Sequence, residues 1–255
     1  MFVLQMYIFF RFAWVYSSIF VTFVANIPTR RTMNKWIRRK RNSWGYGVQS
    51  PSDFYFVQHV LREQSPYYGY EVLDELAENY ATRLPSYPSA TNRLLFRLAN
   101  YVHAEQVIEV GAGLSTFAMA TGHPFAHYTA ITGNETCHDT MQPLLKVYPQ
   151  IILKKGDEMA LFRQFIDEQQ TIGMLHVAHT EHYREIVEAA LLHITDHTSI
   201  IIEDIQVSKE KQAWWKSLQE SPLTGITYDL GNIGLIFFNR SRSKDTYWIN
   251  LRKRV

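Results

Sequence analysis

Apolar strands and amphipathic helices alternate through residues 105–239, and the alternation stops at two strands joined by nothing but Leu230-Gly231-Asn232. The pattern predicts strands over Gln106–Val110, His127–Thr132, Gln150–Lys154, Gly173–Val177, Ser199–Glu203, Gly225–Asp229 and Ile233–Asn239. Helices are expected between them over Ser115–Thr121, Glu135–Val147, Asp157–Glu168, Glu181–His193 and Lys209–Glu220. Repeated strand–helix units build a parallel sheet with helices on both faces. Three residues cannot carry a parallel crossover, so the last two strands must close as an antiparallel hairpin. The expected fold is α/β: a seven-stranded, mostly parallel, Rossmann-like sheet ending in that hairpin. Three further helices, near residues 53–62, 70–82 and 90–101, form an N-terminal helical extension, with Pro66, Pro85 and Pro88 between them. In open sheets of this kind ligands sit beyond the carboxyl ends of the strands. Each strand end is therefore a candidate part of a site.

The first strand ends in the sharpest motif, Ile108-Glu109-Val110-Gly111-Ala112-Gly113-Leu114-Ser115. Alternate glycines tolerate positive φ and let backbone amides approach a ligand. The helix that follows offers N–H groups and a positive dipole end to a carboxylate or phosphate. Glu109, just ahead of them, suits a cationic amine. An anion cradle beside a carboxylate matches the amino-acid end of S-adenosylmethionine. The third glycine of a dinucleotide-binding G-x-G-x-x-G would fall at Thr116, so that fingerprint is incomplete. Glu109, Gly111, Gly113 and Ser115 are the expected cofactor clamp; a tight strand–helix turn without a ligand is the plainer alternative.

Bulk properties narrow the setting. A chain of 255 residues, 46% hydrophobic, can bury one good core with a small appendage. A single cysteine, Cys137, excludes an internal disulfide. Residues 1–52 hold eight Lys/Arg and no acid, leaving 18 basic and 24 acidic residues in the remainder. A mildly acidic body argues against nucleic-acid binding. Three segments are expected: a hydrophobic leader over 1–32, a basic lead-in and helical cap over 33–104, and a cofactor-binding domain over 105–255. The apolar run Phe2–Ile27 exceeds the roughly 20 residues that span a bilayer. Arg11 near its middle would cost about 2.5–3.5 kcal/mol there. Basic residues follow the run and none precede it, so an anchor would leave the body in the cytoplasm. The run lacks a basic n-region and an A-x-A site, against a signal peptide, and its lack of acids allows a targeting peptide. Met33 also begins an ordinary start, Met-Asn-Lys-Trp, so residues 1–32 read equally as a mis-assigned extension. The expected location is cytoplasmic, with an inner-membrane-anchored form, touching the membrane through residues 1–41, as the alternative.

With these pieces in place, the chain resembles a class I S-adenosylmethionine-dependent methyltransferase, and more narrowly a bacterial subgroup with a lead-in segment before the sheet. The matching pieces are Trp44-Gly45-Tyr46-Gly47-Val48-Gln49-Ser50-Pro51, the helix containing Leu94-Leu95-Phe96-Arg97, the glycine loop, Ser199-Ile200-Ile201-Ile202-Glu203-Asp204, and the closing hairpin. The resemblance implies strand order 3-2-1-4-5-7-6, S-adenosylmethionine as cofactor, and methyl transfer to a small molecule at oxygen. It implies an acid for the ribose hydroxyls at the end of the second strand. Thr132 stands there instead, leaving Glu135, with Asn134, to take the role. Asp157 follows the third strand, where relatives hold adenine; it also reads as a helix N-cap. His182 matches the histidine after the fourth strand and is the candidate base, with a surface or capping histidine as the alternative. Cation-dependent relatives add an Asp after the fourth strand, where Ala178 stands here. Glu203 and Asp204 alone remain of such a ligand set, so a divalent cation is not expected. His176, His179 and His182 lack a fixed zinc spacing. Trp214, Trp215 and the lead-in aromatics read as acceptor pocket or as core. A homodimer contact through the lead-in segment is a further expectation. Two rival readings remain: a degenerate methyltransferase fold serving as a scaffold, and a nucleotide-dependent oxidoreductase.

Overall fold

The computed structural model describes residue 48 and residues 50–169, 171–239 and 241–251, all within one unit spanning residues 40–255. The hydrophobic leader, the basic cluster at 35–41 and most of the lead-in motif lie outside the described residues.

Eight strands form one sheet: β1 (Gln106–Val110), β2 (His127–Thr132), β3 (Ile151–Lys155), β4 (Met174–Val177), β5 (Ser199–Ile202), β6 (Ile226–Asp229), β7 (Gly234–Phe237) and β8 (Thr246–Trp248). Their order is β3-β2-β1-β4-β5-β7-β6-β8. The first five are mutually parallel, and β7 runs antiparallel to both β5 and β6. The expected order and hairpin are therefore present, with one correction: β8 adds an eighth strand, parallel to β6. Three residues carry too little pattern to be read as a strand. Tertiary pairing supplies what periodicity lacks, and β8 covers what would otherwise be an open sheet edge.

The helices are α1 (Pro51–Phe56, continued by a π-helical turn over Val57–Leu61), α2 (Gly69–Tyr80), α3 (Ser89–Val102), α4 (Leu114–Gly122), α5 (Glu135–Met141), α6 (Glu158–Gln169), α7 (Tyr183–Ala190) and α8 (Lys209–Glu220). Local chemistry sets their starts. Ser50 caps α1, with Pro51 fitting the first turn; Asn134 caps α5 by accepting from the Cys137 amide at 2.9 Å; Ser208 caps α8 at 3.0 Å from the Lys211 amide. The helix expected over 135–147 breaks because Pro143 has no N–H to continue it, and a 3₁₀ turn (Gln142–Lys146) takes over.

Alternation along each strand divides the core. Ile108, Val177 and Ile202 face α6, α7 and α8 through Phe162, Ile186 and Trp215. Val107, Tyr128 and Tyr228 face the other way, onto Phe56, Leu95 and Phe117 of α1, α3 and α4. Trp214 and Trp215 are thus core residues of the first layer rather than pocket walls. Tyr68, from the lead-in aromatics, is 95% exposed.

Candidate active site

The sheet order reverses direction between β1 and β4, the crevice where open α/β sheets place ligands. Glu109 on β1 and His176 on β4 are register partners across that crevice. Glu203 follows β5 directly. Because side chains alternate along a strand, Glu109 shares a face with Val107, His176 with Met174, and Glu203 with Ile201. All three polar groups therefore fall in the layer under α4, and all are buried.

They are joined. His176 Nδ1 lies 2.9 Å from Glu109 Oε1, and His176 Nε2 lies 3.3 Å from Glu203 Oε1. Two carboxylate acceptors call for two N–H donors, which only the imidazolium provides. Burial alone would push the His176 imidazole down; its hydrogen bonds to Glu109 and Glu203 outweigh that and hold it up at about 9. Burial raises the Glu203 carboxyl, against the opposing pull of His176. The other partners of Glu109 come from the first turn of α4. Ser115 Oγ donates to Oε1 at 2.5 Å, and Thr116 Oγ1 donates to Oε2. Glu109 thus turns inward and fixes the start of the helix from below. Glu203 Oε2 is buried without a hydrogen-bond partner.

The glycine loop closes over this core. Gly111 sits at φ +88°, and a Cβ there would lie 1.9 Å from the Ala178 carbonyl oxygen. Only glycine meets both demands. The Gly111 and Ala112 amides both donate to the Ile131 carbonyl at 3.0 Å, tying the loop to β2. A Cβ on Gly113 would lie 2.4 Å from the Pro85 carbonyl oxygen, which accepts from the Leu114 amide at 3.0 Å. The segment between α2 and α3 therefore lies directly on the N-terminus of α4.

The remaining predicted residues separate. Thr132 ends β2 buried, its Oγ1 accepting from the Asn134 amide at 3.1 Å. Glu135 points to solvent and pairs with Lys155 Nζ at 2.8 Å, on a side chain 77% exposed. Asp157 caps α6, accepting from the Ala160 amide at 2.7 Å. His182 is exposed at the N-terminal cap of α7. Sequence reasoning missed Glu158, in the first turn of α6. Its Oε1 accepts from the Gly133 amide at 3.1 Å and its Oε2 from Thr180 Oγ1 at 2.5 Å. A carboxylate therefore does stand beside the end of β2, delivered from another helix. It reads in sequence as one more first-turn acid, and nothing local marks its reach.

On the β5 side, Asp204 adopts φ +56° and accepts from Tyr87 Oη at 3.2 Å and Asn232 Nδ2 at 2.6 Å. Tyr87 stacks on His179 at 4.3 Å between ring centroids. Burial raises the Tyr87 hydroxyl, helped by the charges of Glu203 and Asp204, and burial lowers the His179 imidazole. Lys211 Nζ lies 4.4 Å from the centre of the Tyr183 ring, its pKa lowered by burial. The three histidines do not converge: His176 lies between carboxylates, His179 on Tyr87, and His182 in solvent. Among the described residues no group of three His, Cys, Asp or Glu side chains is arranged to hold a metal ion. The donor chemistry agrees, since Ala178 offers no side-chain oxygen, both Asp204 oxygens accept from neighbours, and Glu203 faces an imidazole. Nor is any helix among the described residues long and apolar enough to cross a membrane.

No protein-family model and no curated protein matches the sequence. Solved structures do match the fold. An O-methyltransferase from Bacillus cereus in complex with S-adenosylhomocysteine (SAH) is 16% identical, over 71% of this chain and 96% of its own, with a TM-score of 0.55. The SAH-bound Podospora anserina methyltransferase PaMTH1 is 13% identical, over 83% and 97%, with a TM-score of 0.54. The O-methyltransferase TomG from Streptomyces achromogenes, in complex with SAM and involved in tomaymycin synthesis, is 15% identical, over 75% and 97%, with a TM-score of 0.51. At these identities the likeness establishes architecture, and the architecture of this chain is the Rossmann-like methyltransferase fold.

Proposed function

We propose that this chain is an S-adenosylmethionine-dependent methyltransferase acting on a small-molecule hydroxyl, of the bacterial subgroup with a lead-in segment. One observation carries the reading: a glycine at positive φ, with no room for a Cβ, directly after a buried acid at the switch point of a methyltransferase-type sheet. The SAH and SAM bound to proteins of this fold support it.

The residues divide the work. Glu109, through Ser115 and Thr116, holds the first turn of α4 so that the Gly111–Ser115 backbone keeps one shape for the amino-acid tail of the ligand. Glu158 takes the ribose hydroxyls, in place of the acid missing at Thr132; Glu135, drawn off by Lys155, does not. Asp157 and Asn134 shape the turns flanking the nucleoside. When bound, S-adenosylmethionine supplies a methyl group already attached to its leaving group. The chain contributes orientation, which is the larger part of such a displacement. His182, exposed at the start of α7, is assigned the proton of the acceptor hydroxyl.

Calorimetric titration with SAH tests the reading. One ligand should bind per chain, and Gly111→Ala should abolish the heat. Glu158→Ala should weaken binding by about tenfold or more, the value of a hydrogen bond to a charged group. Glu135→Ala should leave it within about twofold, as for an exposed pair. No heat at about 1 mM SAH, meaning binding weaker than about −4 kcal/mol, removes the reading.

A further inference from the structure

The crevice between β1 and β4 lies over buried polar side chains. Here the support beneath is itself a connected object. Ser115 and Thr116 hold Glu109, Glu109 holds one nitrogen of His176, and the other nitrogen reaches Glu203. Glu203 is followed at once by Asp204, whose left-handed backbone and two side-chain acceptors organise Tyr87 and Asn232. Among the described residues the imidazole joins Glu109 to Glu203, and the Pro85–Tyr87 segment joins the same halves a second way, through the Leu114 amide and Asp204. The imidazole is fully buried, on the middle of three adjacent strands, with no solvent to replace either carboxylate.

We infer that His176 is a positioning residue that couples the glycine loop to the turn after β5, one imidazole holding Glu109, and through it the first turn of α4, while it holds Glu203 ahead of the Asp204 turn. This rests on the methyltransferase reading above. The physical content is a shared degree of freedom. If Glu203 no longer accepts from Nε2, the ring is free to tilt about its Glu109 contact. Glu109 then loses one of its three fixed donors, and the first turn of α4 loosens. A change 94 residues from Glu109 along the chain is thereby felt at the loop. Coupling of this kind between two sites is commonly worth about five- to 150-fold in affinity.

The test compares two substitutions at one position. Glu203→Gln keeps an oxygen facing Nε2 and so keeps the bridge; Glu203→Leu keeps the bulk and removes the acceptor. SAH affinity should stay within about twofold in the first and fall about tenfold in the second. In a His176→Gln background, Glu203→Leu should add nothing further, because the link is already cut. Should His176→Gln not fold, the two Glu203 variants decide alone. A purely structural Glu203 would lower the melting temperature of Glu203→Leu and leave its SAH affinity at the wild-type value; that result overturns the inference. Equal weakening by Gln and Leu assigns the effect to the carboxylate charge and overturns it too, as does full weakening by Leu in the His176→Gln background. If the wild-type chain binds no SAH, the methyltransferase reading falls, and this inference with it.

Discussion

Two buried acids are clasped from several sides, one at the edge of the sheet and one in its interior. Asp53, in α1, accepts from Tyr228 Oη at 2.5 Å and Tyr247 Oη at 3.3 Å and pairs with Arg242. It joins the N-terminal cap to β6 and β8 at the sheet edge. Glu109 accepts from Ser115, Thr116 and His176 at the switch point. The cation of the Asp53 clasp, Arg242, is half-buried, its side chain keeping 24% exposure. The bridge at Glu109 has no exit, because its cation is fully buried and faces a second carboxylate. The clasp fastens two parts of the fold, whereas the bridge holds fully buried charge at the switch point. A fold can tolerate loosening the first. Disturbing the second is expected to weaken the proposed ligand site.

The contrast is broken most directly by His176→Phe. That change leaves two buried carboxylates without their cation and should cost about 3–5 kcal/mol in urea unfolding. A loss below about 1 kcal/mol would mean that the bridge carries no charge worth neutralising. Raising the pH probes the same difference without a mutation. The His176 imidazolium is held up at about 9, above its ordinary 6.5, so its stabilising share is complete below pH 6.5 and is lost as the pH rises through 9. Stability should fall by about 1 kcal/mol per pH unit across that window. In His176→Gln the fall should be absent. The clasp stays silent there, because burial raises the Tyr247 hydroxyl to about 12 and Tyr228 further still. The smallest effect belongs to Asp53→Asn. It keeps an oxygen for Tyr228 and Arg242 and removes only the charge of the pair, so unfolding should lose about 1 kcal/mol. SAH affinity should remain within about twofold, since the clasp lies away from the crevice; a tenfold loss would erase the distinction between the two acids.

What could be read from the sequence follows the range of the forces involved. The limits of β1, β2 and α8 agree with the expected ones because alternation, helical spacing and capping residues act over a few positions. The glycine loop is equally local. The bridge is not: Glu109, His176 and Glu203 are separated by 67 and 27 residues, and only sheet register brings them together. His176 was therefore legible merely as one histidine in a loose set of three. Glu158 was hidden for the same reason, its contacts with Gly133 and Thr180 spanning 25 and 22 residues. Asp53 gave no signal of its link to β8, 194 residues away at Tyr247. Fold class rests on repeated short-range pattern, whereas a site assembled from several strand ends depends on pairings that short-range pattern does not encode.

The proposed ligand, a sulfur-bearing nucleoside, is expected over the carboxyl ends of β1 and β2. A crystal structure of the chain grown with saturating SAH measures this directly. Density is expected for the amino-acid tail along Gly111–Ser115 and for the ribose against the Glu158 carboxylate. A saturated crystal with no ligand density in the crevice would contradict it.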